Sequence, residues 1–439
     1  MSWLRRYHLR QFFSNSAWLL SVISIFVALG TVNLLNRLER AMGWEANLSR
    51  ETALAVMGTI ASSTFSLVVV VSSATLVAVQ LASAQLTPRI ISLVYRDTVR
   101  KLALAAFVFT FTFSVAVLVR IHGTVPLVSS YLAAYGFLIN LALFLYLIDF
   151  IGKSLRPSSA LRNVALIGRE VIRSVYPRPL DEKHSAPPEP TRILEGQPDR
   201  IVVNSEDGAV LAFDMKGLVS LAERSNCLIE MMPQVGDFIA IGDPLFRVFD
   251  GGKDLSEETL RNSVAIGSER TMEQDPTFVF RIIVDIASKA LSPAINDPTT
   301  AVLAIDQLHH LLRNVGTRYL GEGHEQDRAG ELRLVYRTPD WEDFVQLTIT
   351  EIRHYGHDSI QVMRRLRSML ENLLATLPDR RAPILHRELS LLTSSSRRSF
   401  PDSDDQELAE GSDPQGIGGN DRDREHLATA VLPENRMRR

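Results

Sequence analysis

Residues 51–81 read ETALAVMGTIASSTFSLVVVVSSATLVAVQL, with no charge after Glu51. A helix rising about 1.5 Å per residue would carry residues 52–81 over about 45 Å. That exceeds the roughly 30 Å hydrocarbon core of a bilayer, so the stretch predicts a membrane-crossing helix with length to spare for tilt or projection. Its polar residues are not scattered. Thr59, Ser62, Ser63, Ser66, Ser73, Gln80 and Ser83 recur at helical spacing and draw a weakly polar stripe down one face. Small side chains let membrane helices approach closely, and hydroxyls can bond across the contact. The stripe therefore marks either a packing face or the lining of a water-facing pore.

Working outward, residues 18–35, 102–121 and 127–151 are further apolar runs, which makes four spans. The first is read as an uncleaved helix, because no small-x-small cleavage site follows Leu29. Basic residues set the orientation. Arg5, Arg6 and Arg10 precede span one, Arg89, Arg96, Arg100 and Lys101 follow span two, and Lys153, Arg156 and Arg162 follow span four. In the first loop Arg37, Arg40 and Arg50 are offset by Glu39, Glu45 and Glu51, and the third loop has only Arg120 beside it. This bias puts both chain ends in the cytoplasm of a multi-pass membrane protein. No charged residue lies at mid-depth, and Asn140, the strong polar group of span four, is expected to bond between helices. A transporter built on a buried carboxylate is disfavoured on that ground; a passive pore needs none. Residues 90–94 predict a short helix on the membrane surface.

The rest divides by composition. Residues 1–16 form a basic cytoplasmic head and 17–151 the four-span transmembrane domain; 152–199 combine an amphipathic connector with a Pro-rich linker. Residues 200–392 form a cytoplasmic α+β domain. From residue 393 to 439, Ser, Asp, Gly and Arg dominate without periodicity, predicting a disordered tail. The fold class is thus an α+β membrane protein: a four-helix transmembrane domain, then a cytoplasmic domain with a small β-barrel-like element and a helical part. The barrel-like element rests on short strands punctuated by Gly236-Asp237 and Gly242-Asp243. Lys216 precedes those turns with a helix between, so covalent attachment of a carried cofactor is rejected. Asp214 and Asp297-Pro298 are helix starts.

A formal net charge of −3 offers no footprint for a nucleic-acid partner. The single cysteine, Cys227, rules out an internal disulfide and any multi-cysteine metal site. Neither a P-loop, a dinucleotide fingerprint, a nucleophile elbow nor zinc spacing is present, so no cofactor, metal or catalytic residue is assigned and an enzyme is the least favoured class.

Three stretches carry a family resemblance: LVVVVSSATLVAVQLASAQLTPRII (residues 67–91), GDFIAIGDPL (236–245) and ERTMEQDPTFVFRIIVDIASKALSPAINDPTTA (269–301). On these the chain resembles the predicted membrane proteins grouped as domain-of-unknown-function family 2254, up to about residue 377. The resemblance implies a bacterial inner-membrane protein with N-terminal spans and a cytoplasmic C-terminal domain, and it brings no activity or site residue.

The densest group of unusual side chains in the soluble part contains Arg270, Asp275, Arg281, Asp285, Asn296, Asp297 and Asp306. One reading is architectural: Arg281 and Asp285 pair at i,i+4, Asp297 caps a helix and Asn296 fixes a turn. The other is a ligand or inter-subunit site. Two functions follow. The first is a homo-oligomeric, channel- or transporter-like protein moving a small solute or ion, gated by the cytoplasmic domain. The second is a membrane-anchored sensor or scaffold that binds a ligand or partner there. The lipid bilayer is the one partner expected in both.

Overall fold

The computed structural model describes residues 2–16, 18–90, 97–121, 125–154, 156–180, 197–252, 254–321 and 323–418. The chain forms two compact units, His8–Ala160 and a second joining Met1–Tyr7 to Leu161–Arg439.

Helix α1 (Trp3–Asn15) opens the chain. The first unit then contains α2 (Trp18–Met42), α3 (Arg50–Gln85), α4 (Thr98–Leu118) and α5 (Leu127–Ser154). These are four helices long and apolar enough to cross a membrane. Each starts for a local reason where the caps are visible. Ser49 accepts from the Thr52 amide to open α3, and Asp97 accepts from the Val99 amide at 2.9 Å to open α4. Helix α4 is the most enclosed. Phe113 and Val117 pack with Met57, Ile60 and Ala133 toward one end, and Ala103 and Phe107 with Val71 and Leu147 toward the other. Asn140 is buried here, but its amide nitrogen meets no acceptor among the described residues, so the expected interhelical bond is not made. The surface helix expected at residues 90–94 lies, beyond Ile90, outside the described residues.

In the second unit the amphipathic connector turns out to be core. Helix α6 (Pro157–Val175) buries Leu161, Val164 and Ile172. At Gly168 it approaches so closely that a Cβ would lie 2.6 Å from a Val279 methyl and 3.2 Å from a Leu311 methyl. Of the linker expected over residues 177–198, residues 181–196 lie outside the described residues.

Strands β1 (Arg200–Val203), β2 (Gly208–Phe213), β3 (Leu228–Met231), β4 (Phe238–Ile239), β5 (Pro244–Phe249), β6 (Val264–Gly267), β7 (His324–Gln326) and β8 (Leu332–Tyr336) form two open sheets. Their orders are β1-β5-β3-β8-β7 and β4-β2-β6. The expectation of a small β-barrel-like element is not confirmed: no closed barrel exists among the described residues. The reason lies in β8, which arrives from far along the chain and pairs parallel with β3, Ile229 opposite Leu334, extending the sheet where a barrel would have to close it. The Gly-Asp turns form as expected, with Asp237 and Asp243 accepting the Gln234 and Ala240 amides, each at 2.8 Å. Helix α7 (Met215–Arg224), capped by Asp214, covers the larger sheet through Leu218 and Ala222. Trp3, Leu4 and Tyr7 of the basic head pack on Ala209, Leu211 and Ala265 of the smaller one.

After the five-residue α8 (Glu257–Arg261), helices dominate: α9 (Pro276–Ala290), α10 (Pro298–Gly316), α11 (Trp341–Tyr355), α12 (Ile360–Thr376), α13 (Ala382–Ser399) and α14 (Ser403–Glu410). Helix α9 is apolar almost all round because helices surround it, and the Phe280 and Phe344 rings meet at a tilt of 56° in the centre, their centroids 5.1 Å apart. Burying each such ring stabilises the fold by about 2–3 kcal/mol. The expected tail boundary at residue 393 falls inside α13 and is corrected. The chain stays ordered through residue 418, where buried Asp413 accepts the Gln415, Gly416 and Gly418 amides. Arg364 and Arg365 of α12 donate to carbonyls of this segment, among them Ser412, Asp413, Pro414 and Gly418. Weak periodicity hid the segment, since polar bonds to α12 hold much of it. The remaining tail, residues 419–439, lies outside the described residues.

Candidate functional site

The polar stripe of α3 keeps its shape in three dimensions. Thr59, Ser62, Ser66, Ser73 and Gln80 are exposed within their unit, and Ser63 and Ser83 are half-buried. The packed side of the helix is instead Ala53, Met57, Ile60, Thr64 and Val71. Three of the exposed hydroxyls donate to their own helix: Thr59 to the Ala55 carbonyl at 2.8 Å, Ser62 to Thr59 at 3.1 Å and Ser66 to Ser62 at 3.0 Å. Their protons are thereby satisfied in an apolar medium while their lone pairs still face outward.

The cytoplasmic cluster does not converge on one site. Arg270 donates Nε to Asp275 at 2.9 Å and Nη2 at 2.5 Å, and Asp275, only 3% exposed, also caps α9 through the Phe278 amide. A Cβ on Gly236, whose φ is +95°, would fall 2.1 Å from the Arg270 guanidinium, so the clasp is sealed by the turn beside it. Arg281 pairs with Asp285 at 2.7 Å and reaches Glu351 of α11 through both terminal nitrogens, tying α9 to α11. Asn296 holds φ +48° in the turn. Asp297 caps α10 through Thr300, accepting its amide at 3.0 Å and its hydroxyl at 2.5 Å. Asp306 binds Arg365 of α12 at 2.6 Å. These are four separate fasteners, and the architectural reading describes all of them.

A concave feature of the second unit lies elsewhere. A cavity of about 1200 Å³ opens between the end of α6, the start of α7 and the β7–β8 hairpin. Tyr176, Phe213, Tyr319, Tyr336 and Trp3 line it, with Arg178, Lys216 and Arg337 among its charged groups. The wall after α6 is pinned beside α10, since Leu180 donates to the Thr317 carbonyl at 2.9 Å and Tyr319 to that of Arg178 at 3.1 Å. Burial pushes the Tyr176 phenol up to about 12 despite its bond to Thr338, and burial beside Glu325 pushes Tyr336 up as well, so both present neutral hydroxyls at physiological pH. Among the described residues no group of three or more His, Cys, Asp or Glu is placed to hold a metal ion.

Residues 14–372 match the family model described as predicted membrane protein (DUF2254). The chain belongs to this family. Among its DUF2254-type relatives are uncharacterised proteins of Mycobacterium bovis and Mycobacterium tuberculosis, each 25% identical over 429 residues, which is 93% of this chain and 81% of the relative. No solved structure matches it. The family assignment and the four apolar helices agree on a membrane protein in contact with lipid.

Sequence reasoning missed three functional placements in this DUF2254 member. Glu39 belongs to α2 rather than to a loop; it is buried and accepts the Ser129 amide and hydroxyl, each at 2.8 Å, capping α5. An acid ending an apolar run and Ser129-Ser130 opening another were the available signals. Glu351 and Arg365, the partners of Arg281 and Asp306, sit on helices whose faces no local pattern relates. The cavity joins segments from residue 3 to residue 339, a juxtaposition only the tertiary fold creates.

Proposed function

We propose that this DUF2254 protein is a multi-pass protein of the bacterial inner membrane, with both termini cytoplasmic, that assembles as a homo-oligomer. In this reading it forms a channel- or transporter-like route for a small solute or ion, regulated by its C-terminal unit. The observation that carries it is the α3 face at Ser62, Ser66 and Ser73, which the chain's own remaining spans leave uncovered. Four spans are too few to enclose a route within one copy, so such a face calls for further copies around an axis. Hydroxyl lone pairs, rather than charges, would line that axis, in keeping with a passive pathway. The test is flux in proteoliposomes loaded with potassium chloride or glycerol. Transport above empty vesicles, lost in Ser66→Leu, is expected; inserted protein with no flux of either would overturn the reading.

A second reading, a membrane-anchored sensor or scaffold, is favoured by the cavity beside Tyr176 and Tyr336. It separates cleanly from the first, because ligand binding without any flux would select it.

A further inference from the structure

The acids of the cavity are largely committed to other partners. Asp214 caps α7 through the Gly217 amide at 3.0 Å, Asp275 is held by Arg270, and Asp327 pairs with Arg333 at 2.7 Å. Glu325 faces the Tyr336 hydroxyl. Of the lining carboxylates, Glu331 alone has no such partner among the described residues. The cations are in the opposite state. Lys216 and Arg178 make no ion pair among the described residues, and Arg337, 70% exposed, reaches Asp237 only at 3.9 Å. Three weakly held cations therefore stand beside a wall of aromatic rings. Phe213 and Tyr336 contribute two of them, with centroids 5.2 Å apart.

We infer that this cavity binds a planar organic anion of nucleotide size, its ring against Tyr176, Tyr319 and Tyr336 and its anionic group drawn by Lys216, Arg178 and Arg337. At about 1200 Å³ the cavity lies just above the roughly 300–1000 Å³ of small-molecule sites, so a nucleotide-sized molecule fits with room to spare. Aromatic faces supply stacking area for a base, while lysine and arginine supply charge-assisted bonds to phosphate. Trp3 belongs to α1, from which the chain leads on into α2, so occupancy has a covalent route to the first span. The inference stands independently of whether the membrane unit conducts.

The experiment is fluorescence anisotropy of methylanthraniloyl-ATP with the full-length protein in detergent, competed by ATP, by inorganic triphosphate and by adenosine. Saturable binding is expected, with ATP competing better than either fragment. Tyr319→Ala, which removes a ring, and the exposed pair Lys216→Glu with Arg337→Glu should each weaken it by about tenfold or more. Circular dichroism of the variants checks that both are folded, and Lys216→Arg should retain binding. Absence of saturable binding, triphosphate competing as well as ATP, or affinity unchanged in the folded charge-reversed variant would each overturn the inference.

Discussion

At the residue scale, the side chain with the clearest consequence is Glu39. Composition places it in a loop, yet it is 5% exposed and gives its two oxygens to the first turn of α5. A carboxylate at a helix N-terminus satisfies orphan amides and meets the positive end of the dipole. Glu39→Ala should cost about 1–3 kcal/mol and lower the melting temperature of the detergent-solubilised protein, with Glu39→Gln intermediate. An unchanged melting temperature in the alanine variant would mean that α5 does not depend on this cap.

His309 offers a pH test on the same scale. Burial holds its imidazole below the ordinary value, outweighing its bond to Asn372 at 2.9 Å. The folded state then resists a proton that the unfolded chain accepts, so the contribution is complete above the unfolded value near 6.5. It drains away as pH falls through 6.5 toward the lower folded value. Thermal unfolding at pH 7.5 and pH 5.5 should show a loss that shrinks in His309→Gln; an identical pH dependence in the two proteins would remove His309 from the account.

At the scale of elements, α6 changes the meaning of the junction between the units. Its apolar spacing was visible in the sequence, but amphipathicity does not say whether a helix faces lipid or protein. Gly168 answers that question, because Val279 and Leu311 occupy the space a side chain would need. Gly168→Ala should destabilise the second unit by about 1–3 kcal/mol through overpacking, read as a lower melting temperature. A neutral or stabilising result would show that α6 packs more loosely than the structure has it.

Elements with local signals were the legible ones. Three of the four apolar helices end within about four residues of their expected bounds, because long uncharged runs have few alternatives, while α2 runs on past the expected residue 35 to Met42. Asp214 and Asp297 cap the helices they were expected to cap, and Asp340 opens α11 with a full capping box. The barrel-like expectation is not confirmed, because a strand's local pattern cannot name its partner: the Gly-Asp turns formed, but β8 joined β3 from about a hundred residues away. Residues 393–418 escaped notice for a related reason. Much of what holds them is bonding from Arg364 and Arg365 and the closed loop around Asp413, which leaves no periodicity to find. The cluster from Arg270 to Asp306 was legible in residues and misleading in geometry. Adjacency in sequence suggested one site, and the helices carry its members to four different fasteners.

At the scale of the whole molecule, the central claim is that copies of this DUF2254 chain meet along the hydroxyl face of α3 in the membrane. Thr59, Ser62 and Ser66 donate to their own helix, which leaves their lone pairs to meet a partner. What the claim adds is a specific neighbour for Ser66 and Ser73. The direct measurement is oxidative cross-linking in native membranes of full-length protein in which the native thiol is removed by Cys227→Ala. Single substitutions Ser66→Cys and Ser73→Cys should yield a disulfide-linked dimer efficiently, whereas Leu145→Cys, exposed on α5, should not. Equal cross-linking at all three positions, or none at either serine, would contradict assembly through this face.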